Sequence, residues 1–259
     1  MNIGSNRIAV VTGASAGIGL ATVRKLLEAG ASVVGNARRQ DRLQALEQEA
    51  LERHGRRSFV GVAGDIQHPA TVERLLSTCQ ASFGDPPDIF LVNAGKGLPG
   101  SILRSDQTKW EELFQLNCLS ALHQMKAAGN AMLESASRRG GQPRAQDIVV
   151  LGSIVGRHLS PVNPVYGATK YAVNSLAEAL RRELAPHWIR VTLVEPGTVA
   201  TEFQDAAGYD TAAFEAYERE AGPFVTGDDI ANFIQFAVAQ PAHVHFNNVV
   251  IRPTRQTYP

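Results

Sequence analysis

Residues 7–19 read RIAVVTGASAGIG. Ile8 to Val11 form an unbroken apolar run, the pattern of a strand buried on both faces, and lead directly into Gly13, Gly17 and Gly19. Glycine permits a tight turn and lets the backbone approach a ligand closely. Helical spacing begins at Ile18, so the turn also delivers the unpaired amides of a helix N-terminus to one point, a natural seat for a phosphate. The spacing is G-x3-G-x-G rather than the common G-x-G-x-x-G, and three glycines alone would equally suit a turn without a ligand. Their place at the first strand-to-helix crossover favours the phosphate.

Strand and helix patterns alternate through the rest of the chain. Helical spacing over 18–29 stops at Gly30. Further strands are expected at 32–35, 58–62, 88–92, 147–151, 189–194 and 247–251, with helices over 40–54, 71–83, 109–134, 166–185 and 228–239. Parallel strands need crossover connections, so this rhythm predicts the α/β class: a doubly wound parallel sheet of about seven strands with helices on both faces. No Pro/Gly/Ser linker divides residues 1–259, and one domain is expected. The polar, basic stretch 135–146 (SASRRGGQPRAQ) reads as an exposed loop. Residues 200–224 mix aromatics with acids, which fits a mobile lid or a plain pair of surface helices.

Composition narrows the partners. Lys plus Arg and Asp plus Glu number 25 each, so there is no excess positive charge to hold a nucleic acid. No apolar stretch reaches the roughly 18 residues a membrane helix needs. Met1 to Gly4 precede the first strand and leave no room for a signal peptide, so a cytoplasmic protein is expected. Cys79 and Cys118 lack any partner motif, which predicts two buried, reduced thiols, with no disulfide and no metal site.

The end of the second strand bears on the choice of ligand. A fold that prefers NAD usually carries an acid there for the ribose 2′-hydroxyl. This chain has Ala37 followed by Arg38 and Arg39. Two guanidinium groups suit a 2′-phosphate through paired hydrogen bonds, which points to NADP (NADPH); they would also serve as solvated charges at a helix entry.

Tyr166 and Lys170 stand at i and i+4, on one face of the helix that starts there. An ammonium beside a phenol favours the phenolate and brings its proton into a useful range. Ser153 lies at the C-terminal end of its strand, the edge at which open parallel sheets bind ligands, and could hydrogen-bond a substrate oxygen beside the tyrosine.

The set Thr12 to Gly19, Asp65, Asn93-Ala94-Gly95, Asn117, Ser153, Tyr166, Lys170 and Pro196-Gly197 resembles the short-chain dehydrogenase/reductase family, in its single-domain Rossmann-fold branch. The resemblance runs from Ile8 to Ile251. It implies Tyr166 as acid/base, Lys170 as the residue that lowers its pKa and holds the nicotinamide ribose, and Ser153 as partner of the substrate oxygen. Asn117 would support a water-linked proton route from Lys170. Cofactor contacts are implied at Gly13, Ser15, Gly17, Ile18, Gly19, Arg38, Arg39, Asp65, Ile66, Asn93, Ala94, Gly95, Pro196, Gly197, Thr198 and Thr201, besides Tyr166 and Lys170. Two positions depart from the family pattern: Val92 precedes Asn93 where many members carry a second asparagine, and Ala16 replaces a basic residue of some NADP-preferring members.

The segments 152–170, 195–203 and 241–256 are similar to a bacterial subgroup that includes 3-hydroxy acid and serine dehydrogenases and carbonyl reductases. That similarity implies hydride transfer between NADP(H) and a small alcohol or carbonyl substrate, a homotetramer, and a C-terminal segment, 241–259, at a subunit boundary. Arg157 and His158 are candidates for binding a substrate carboxylate, or ordinary surface residues. His187 and Trp188 read as packing residues. The alternatives are a non-redox member of the family, such as a dehydratase, epimerase or lyase, and an NADP-binding sensor without catalysis.

Overall fold

A computed structural model describes residue 3 and residues 7–55, 57–140 and 144–258. The expectations for the chain start, apart from Ile3, for 141–143 of the basic stretch and for residue 259 lie outside the described residues.

The seven long strands are β1 (Ile8–Thr12), β2 (Ser32–Ala37), β3 (Phe59–Ala63), β4 (Ile89–Val92), β5 (Gln146–Leu151), β6 (Ile189–Pro196) and, after the two-residue β7 (Val199–Ala200) and β8 (Val225–Thr226), β9 (Asn248–Ile251). They form one parallel sheet in the order β3-β2-β1-β4-β5-β6-β9. The order reverses between β1 and β4, and this switch point opens a crevice beyond their carboxyl ends.

The helices are α1 (Gly17–Glu28), α2 (Gln40–His54), α3 (Pro69–Phe83), α4 (Trp110–Phe114), α5 (Ala121–Arg138), α6 (Pro164–Leu184), α7 (Phe203–Ala207), α8 (Thr211–Ala221) and α9 (Gly227–Val238). Side chains alternate between the two faces of the sheet. Val11, Val33, Leu91 and Val149 pack with Leu26 of α1, Leu43 of α2 and Ile230 of α9. Val10, Val34, Phe90 and Val150 pack on the opposite face with Leu75 of α3, Met125 of α5 and Val173 of α6. The middle of each central strand is therefore buried on both faces, which is why Ile8–Val11, Ile89–Val92 and Ile148–Leu151 read as continuous apolar runs rather than alternating ones.

At the amino edge of the sheet, far from the crevice, buried charges are paired. Asp147 accepts from Arg7 at 2.7 Å and from Arg190 Nε at 2.7 Å, and Asp88 accepts from Arg144 at 2.8 Å. Burial pushes the Asp88 carboxyl up, against the opposing pull of Arg7 and Arg144.

Two regions differ from the sequence expectation, and a third, 200–224, takes one of the two forms expected of it. The helix expected over 109–134 is interrupted by a π-helical turn, Gln115–Ser120, and runs on to Arg138, so the basic stretch begins inside a helix. Residues 200–224 are a pair of short helices, α7 and α8, framed by the pairing of β7 with β8. Trp188 is 42% exposed with φ +61°, and His187 is exposed, so neither is a packing residue. Both cysteines are buried and free, and burial pushes the Cys79 thiol up to about 12, which leaves it inert. Among the described residues no helix is long and apolar enough to cross a membrane, and no group of acids, histidines and cysteines could hold a metal ion.

Candidate functional site

The glycine turn closes the crevice from one side. Gly13 and Gly17 have φ of +69° and +51°, a region that residues with a side chain rarely enter. A Cβ on Gly19 would lie 2.2 Å from the Gly13 carbonyl oxygen, so only glycine fits there. The N-cap of α1 is Ala16, which has no side-chain cap, and the first turn carries no acid. Its amides thus keep their capacity for an anion. Ile18 follows in that first turn. Thr12 ties the turn to the end of β4, accepting from the Asn93 amide at 3.0 Å and the Ala94 amide at 3.3 Å, while Asn93 Nδ2 donates to the Thr12 carbonyl at 2.8 Å. These bonds fix the two strand ends that border the switch point.

At the end of β2, Arg38 is exposed and has no polar partner among the described residues. Arg39 donates to Ser15 Oγ at 3.1 Å and to Glu202 at 3.3 Å. Arg42, one turn into α2, donates to both Glu202 oxygens at 2.9 Å. Hydrogen bonds from Arg42, with a lesser share from Arg39, hold the Glu202 carboxyl below the usual range. Three guanidinium groups thus gather beside the glycine turn. Asp65, after β3, spends its carboxylate on the Gln67 amide at 2.9 Å, and Ile66 is buried next to it.

The π-helical turn presents Asn117 inward. Asn117 Oδ1 accepts from the Lys96 amide at 3.0 Å, and Nδ2 donates to the Lys96 carbonyl at 2.9 Å and to Thr169 Oγ1 at 3.1 Å. It therefore pins the chain just after Gly95 to the helix that carries Tyr166 and Lys170. Single π turns often occur where a helix must re-aim one side chain.

Pro164 at the first turn of α6 sets its start, and the helix then brings Tyr166 and Lys170 onto its buried face. Ser153 follows β5 and hydrogen-bonds the Tyr166 phenol. Burial pushes the phenol above its ordinary value, the nearby Tyr209 adds to this, and the Ser153 bond opposes it. Burial also brings the Lys170 ammonium down to about 8. Lys170 Nζ is turned to the Leu151 carbonyl, 2.8 Å away, and lies 5.8 Å from the Tyr166 ring centre, and burial is the largest influence on the phenol. Desolvation of the phenol outweighs the ammonium at that distance.

Beyond β6, the Gly197 amide donates to the Ile251 carbonyl at 2.7 Å and the Thr198 amide to Gln256 Oε1 at 3.0 Å, so Pro196 to Thr198 are braced by the C-terminal segment. A Cβ on Gly17 would meet the Thr201 side chain at 3.3 Å, which places Thr201 across the glycine turn. Arg157 does not face this crevice in search of a carboxylate: it donates to buried Glu195 at 2.6 Å and to Asn248 Oδ1 at 2.8 Å. His158 is exposed.

Residues 7–211 match the short chain dehydrogenase family. The chain belongs to this family of oxidoreductases. An uncharacterized oxidoreductase of Staphylococcus aureus (strain N315) is 31% identical to this short-chain dehydrogenase over 98% of the chain and 100% of the relative. Among solved structures, a serine dehydrogenase complexed with NADP+ in its closed form is 29% identical, with a TM-score of 0.85 over 97% of this chain and 96% of the other. The L-sorbose reductase of Gluconobacter frateurii, complexed with NADPH and L-sorbose, is 27% identical with a TM-score of 0.83, each chain covered in full (100%).

Four residues of this short-chain dehydrogenase escape a reading of its sequence. Phe203 stands with its ring centre 5.8 Å from that of Tyr166, and Tyr209 accepts at its hydroxyl from Asn163 Nδ2 at 2.8 Å. Arg42 joins the cations at the glycine turn through Glu202 and through the Ser15 carbonyl, to which it donates at 3.3 Å. Asn163, three residues before Tyr166, offers the one available signal: a polar residue at the N-cap whose side chain does not cap its own helix.

Proposed function

We propose that the chain is an NADP(H)-dependent oxidoreductase that transfers a hydride between the nicotinamide ring and a secondary alcohol, ketone or aldehyde. The observation that carries this reading is the convergence of Ser153, Tyr166 and Lys170 at the carboxyl edge of the sheet, opposite an uncapped helix N-terminus behind a glycine turn. When bound, the nicotinamide supplies or takes the hydride, and in reduction one carbonyl, one NADPH and one proton give one alcohol and one NADP+.

The residues of the chain handle the proton. The Tyr166 phenol gives its proton to the carbonyl oxygen in reduction and takes one from the alcohol in oxidation, while Ser153 orients that oxygen. The buried phenol carries its proton at neutral pH and so has one to give as charge develops on the substrate oxygen. Lys170 is predominantly an ammonium at pH 7, below its value of about 8, and supplies positive potential one helical turn away. Asn117 holds the Lys96 backbone and Thr169 in register with this group. Gly13, Ser15 and Gly17 to Gly19 would hold the pyrophosphate, Asp65 and Ile66 the adenine, Asn93 to Gly95 the middle of the dinucleotide, and Pro196 to Thr198 with Thr201 the nicotinamide end. Ala37 leaves the end of β2 without an acid, and Arg38 and Arg39 favour a 2′-phosphate.

Residues 200–224 serve as the substrate lid. Exposed Phe114, Leu119, Leu122 and Phe236 support assembly into a homotetramer.

The test is Tyr166→Phe, assayed by the absorbance of the reduced nicotinamide against a panel of alcohols and ketones. Turnover should fall by about 10²–10⁴-fold while NADPH binding persists. Near-normal turnover in the variant would refute the role of Tyr166, and product formation without change in that absorbance would show a non-redox reaction.

A further inference from the structure

Gly97 forms a floor on which the lid rests. An added Cβ there would lie 2.9 Å from the Phe203 ring and 3.0 Å from the Tyr209 ring, so both rings sit directly on the Gly97 backbone. Asn163 Nδ2 fastens the Tyr209 hydroxyl at 2.8 Å to the start of α6. The phenol of Tyr166 thus lies under a roof of two aromatic rings. Around it are buried Leu98, Ile154 and Val155, with Trp110 packed against them.

This enclosure lacks a partner for an anion. Among the described residues, the one cation in contact with the Tyr166 ring is Lys170, whose Nζ is turned to the Leu151 carbonyl. The cations of the flanking segments are engaged elsewhere or turned to solvent: Arg157 pairs with Glu195 at 2.6 Å, Lys96 with Glu112 at 3.5 Å, Arg255 lies on the Gly222 carbonyl at 3.1 Å, and Arg104 and His158 are exposed. Arg252 also has a partner of its own. A carboxylate brought beneath the lid would lose its water without gaining a countercharge.

The enclosure does offer one unpaired donor and one unpaired acceptor, side by side. Tyr209 uses its oxygen as an acceptor, and its O–H proton has no acceptor among the described residues. Asn163 Oδ1 is buried and has no donor. Buried polar atoms rarely remain unpaired. A hydroxyl group both accepts and donates, so it satisfies the two together. A carboxylate could accept from Tyr209 but would set its charge against the Asn163 oxygen.

Resting on the redox reading above, we propose that Tyr209 and Asn163 form a recognition pair for a neutral hydroxyl beside the reacting carbon. The substrate class is then an uncharged hydroxycarbonyl compound or the polyol it yields on reduction, and compounds with a carboxylate in that position are rejected. Tyr209 and Asn163 set specificity; the proton transfer stays with Tyr166.

The test compares matched pairs on the full-length enzyme with NADPH: hydroxyacetone against pyruvate, and 4-hydroxy-2-butanone against acetoacetate, with 2-butanone as a ketone lacking both groups. The hydroxyketones should exceed their acids in kcat/KM on the order of 100-fold or more. Tyr209→Phe should lower kcat/KM for the hydroxyketones by about 10-fold or more, mainly through KM, and that for 2-butanone by far less. Asn163→Ala should shift the same compounds in the same direction. Preference for the acids would overturn this proposal and leave the redox reading standing. So would an equal loss on 2-butanone in Tyr209→Phe, which marks a merely structural role. If NADPH binds but no compound in the panel consumes it, both readings fall together.

Discussion

Lys170 Nζ donates to the Leu151 carbonyl oxygen at 2.8 Å, the last residue of β5, from one helical turn beyond Tyr166. The bond ties the helix that carries Tyr166 to the strand that leads into Ser153, and it holds an ammonium in the interior. Burial brings that ammonium down to about 8 from the ordinary 10.5. Between those values the folded chain binds fewer protons than the unfolded one, so stability rises with pH across the window. Against Lys170→Met, the cofactor-free wild type should gain about 1 kcal/mol per pH unit from pH 8 upward, read from urea unfolding. Parallel profiles for the two proteins would contradict the buried ammonium.

Gly19→Ala tests the turn without touching the reactive residues. Its Cβ would come within 2.2 Å of the Gly13 carbonyl oxygen and 2.7 Å of Asn93 Nδ2. The backbone must move, which separates the turn from the end of β4 and misdirects the α1 amides. NADPH affinity, followed by fluorescence titration, should fall at least about 10-fold, with a stability loss of about 1–3 kcal/mol. Unchanged affinity would mean that this turn does not hold the nucleotide.

How much of this was legible from residues alone follows the range of the interactions. The strands were, because Ile8–Val11, Ile89–Val92 and Ile148–Leu151 are unbroken apolar runs and need no partner to be recognised. Gly13, Ser153, Tyr166 and Lys170 were as well, since each serves a local geometry: a turn, a strand end, one helix face. The π-helical turn at Asn117 was not, because an inserted residue leaves helical composition unchanged. The fates of Arg157 and Tyr209 were not either. Glu195, which takes up Arg157, lies two elements downstream, and Asn163, which holds Tyr209, lies across the crevice; no local pattern encodes such pairs. The burial of the phenol was not legible for the same reason, since desolvation depends on everything packed around it.

The amino edge of the sheet offers a stability prediction. Asp147 is buried among two guanidinium groups, accepting from Arg7 at 2.7 Å and from Arg190 at 2.7 and 3.0 Å. Asp147→Asn removes the one acid paired with Arg190 among the described residues and leaves Arg7 only Asp88, at 4.0 Å. The expected cost is about 3–5 kcal/mol in urea unfolding, with catalytic constants intact in the fraction that folds. A cost under about 1 kcal/mol would show that water, not Asp147, balances these arginines.

Glu202 gives the last prediction, because it is the anion held by arginines proposed above to favour a 2′-phosphate. Its carboxylate takes Arg42 at 2.9 Å and Arg39 at 3.3 Å, and Arg39 also reaches Ser15 in the glycine turn. The pair is half exposed, so its own worth to folding is small, about 0–1 kcal/mol. Its effect on the ligand is larger, since each guanidinium released from Glu202 becomes free for phosphate. Glu202→Gln should therefore tighten NADPH binding about 3–10-fold with little change for NADH, while Arg38→Ala weakens NADPH selectively by about 10-fold. Titrations of both cofactors against the two variants check this. If Glu202→Gln shifts NADPH and NADH equally, the arginines do not read the 2′-phosphate; if Arg38→Ala leaves the preference unchanged, that residue is a solvated helix-entry charge.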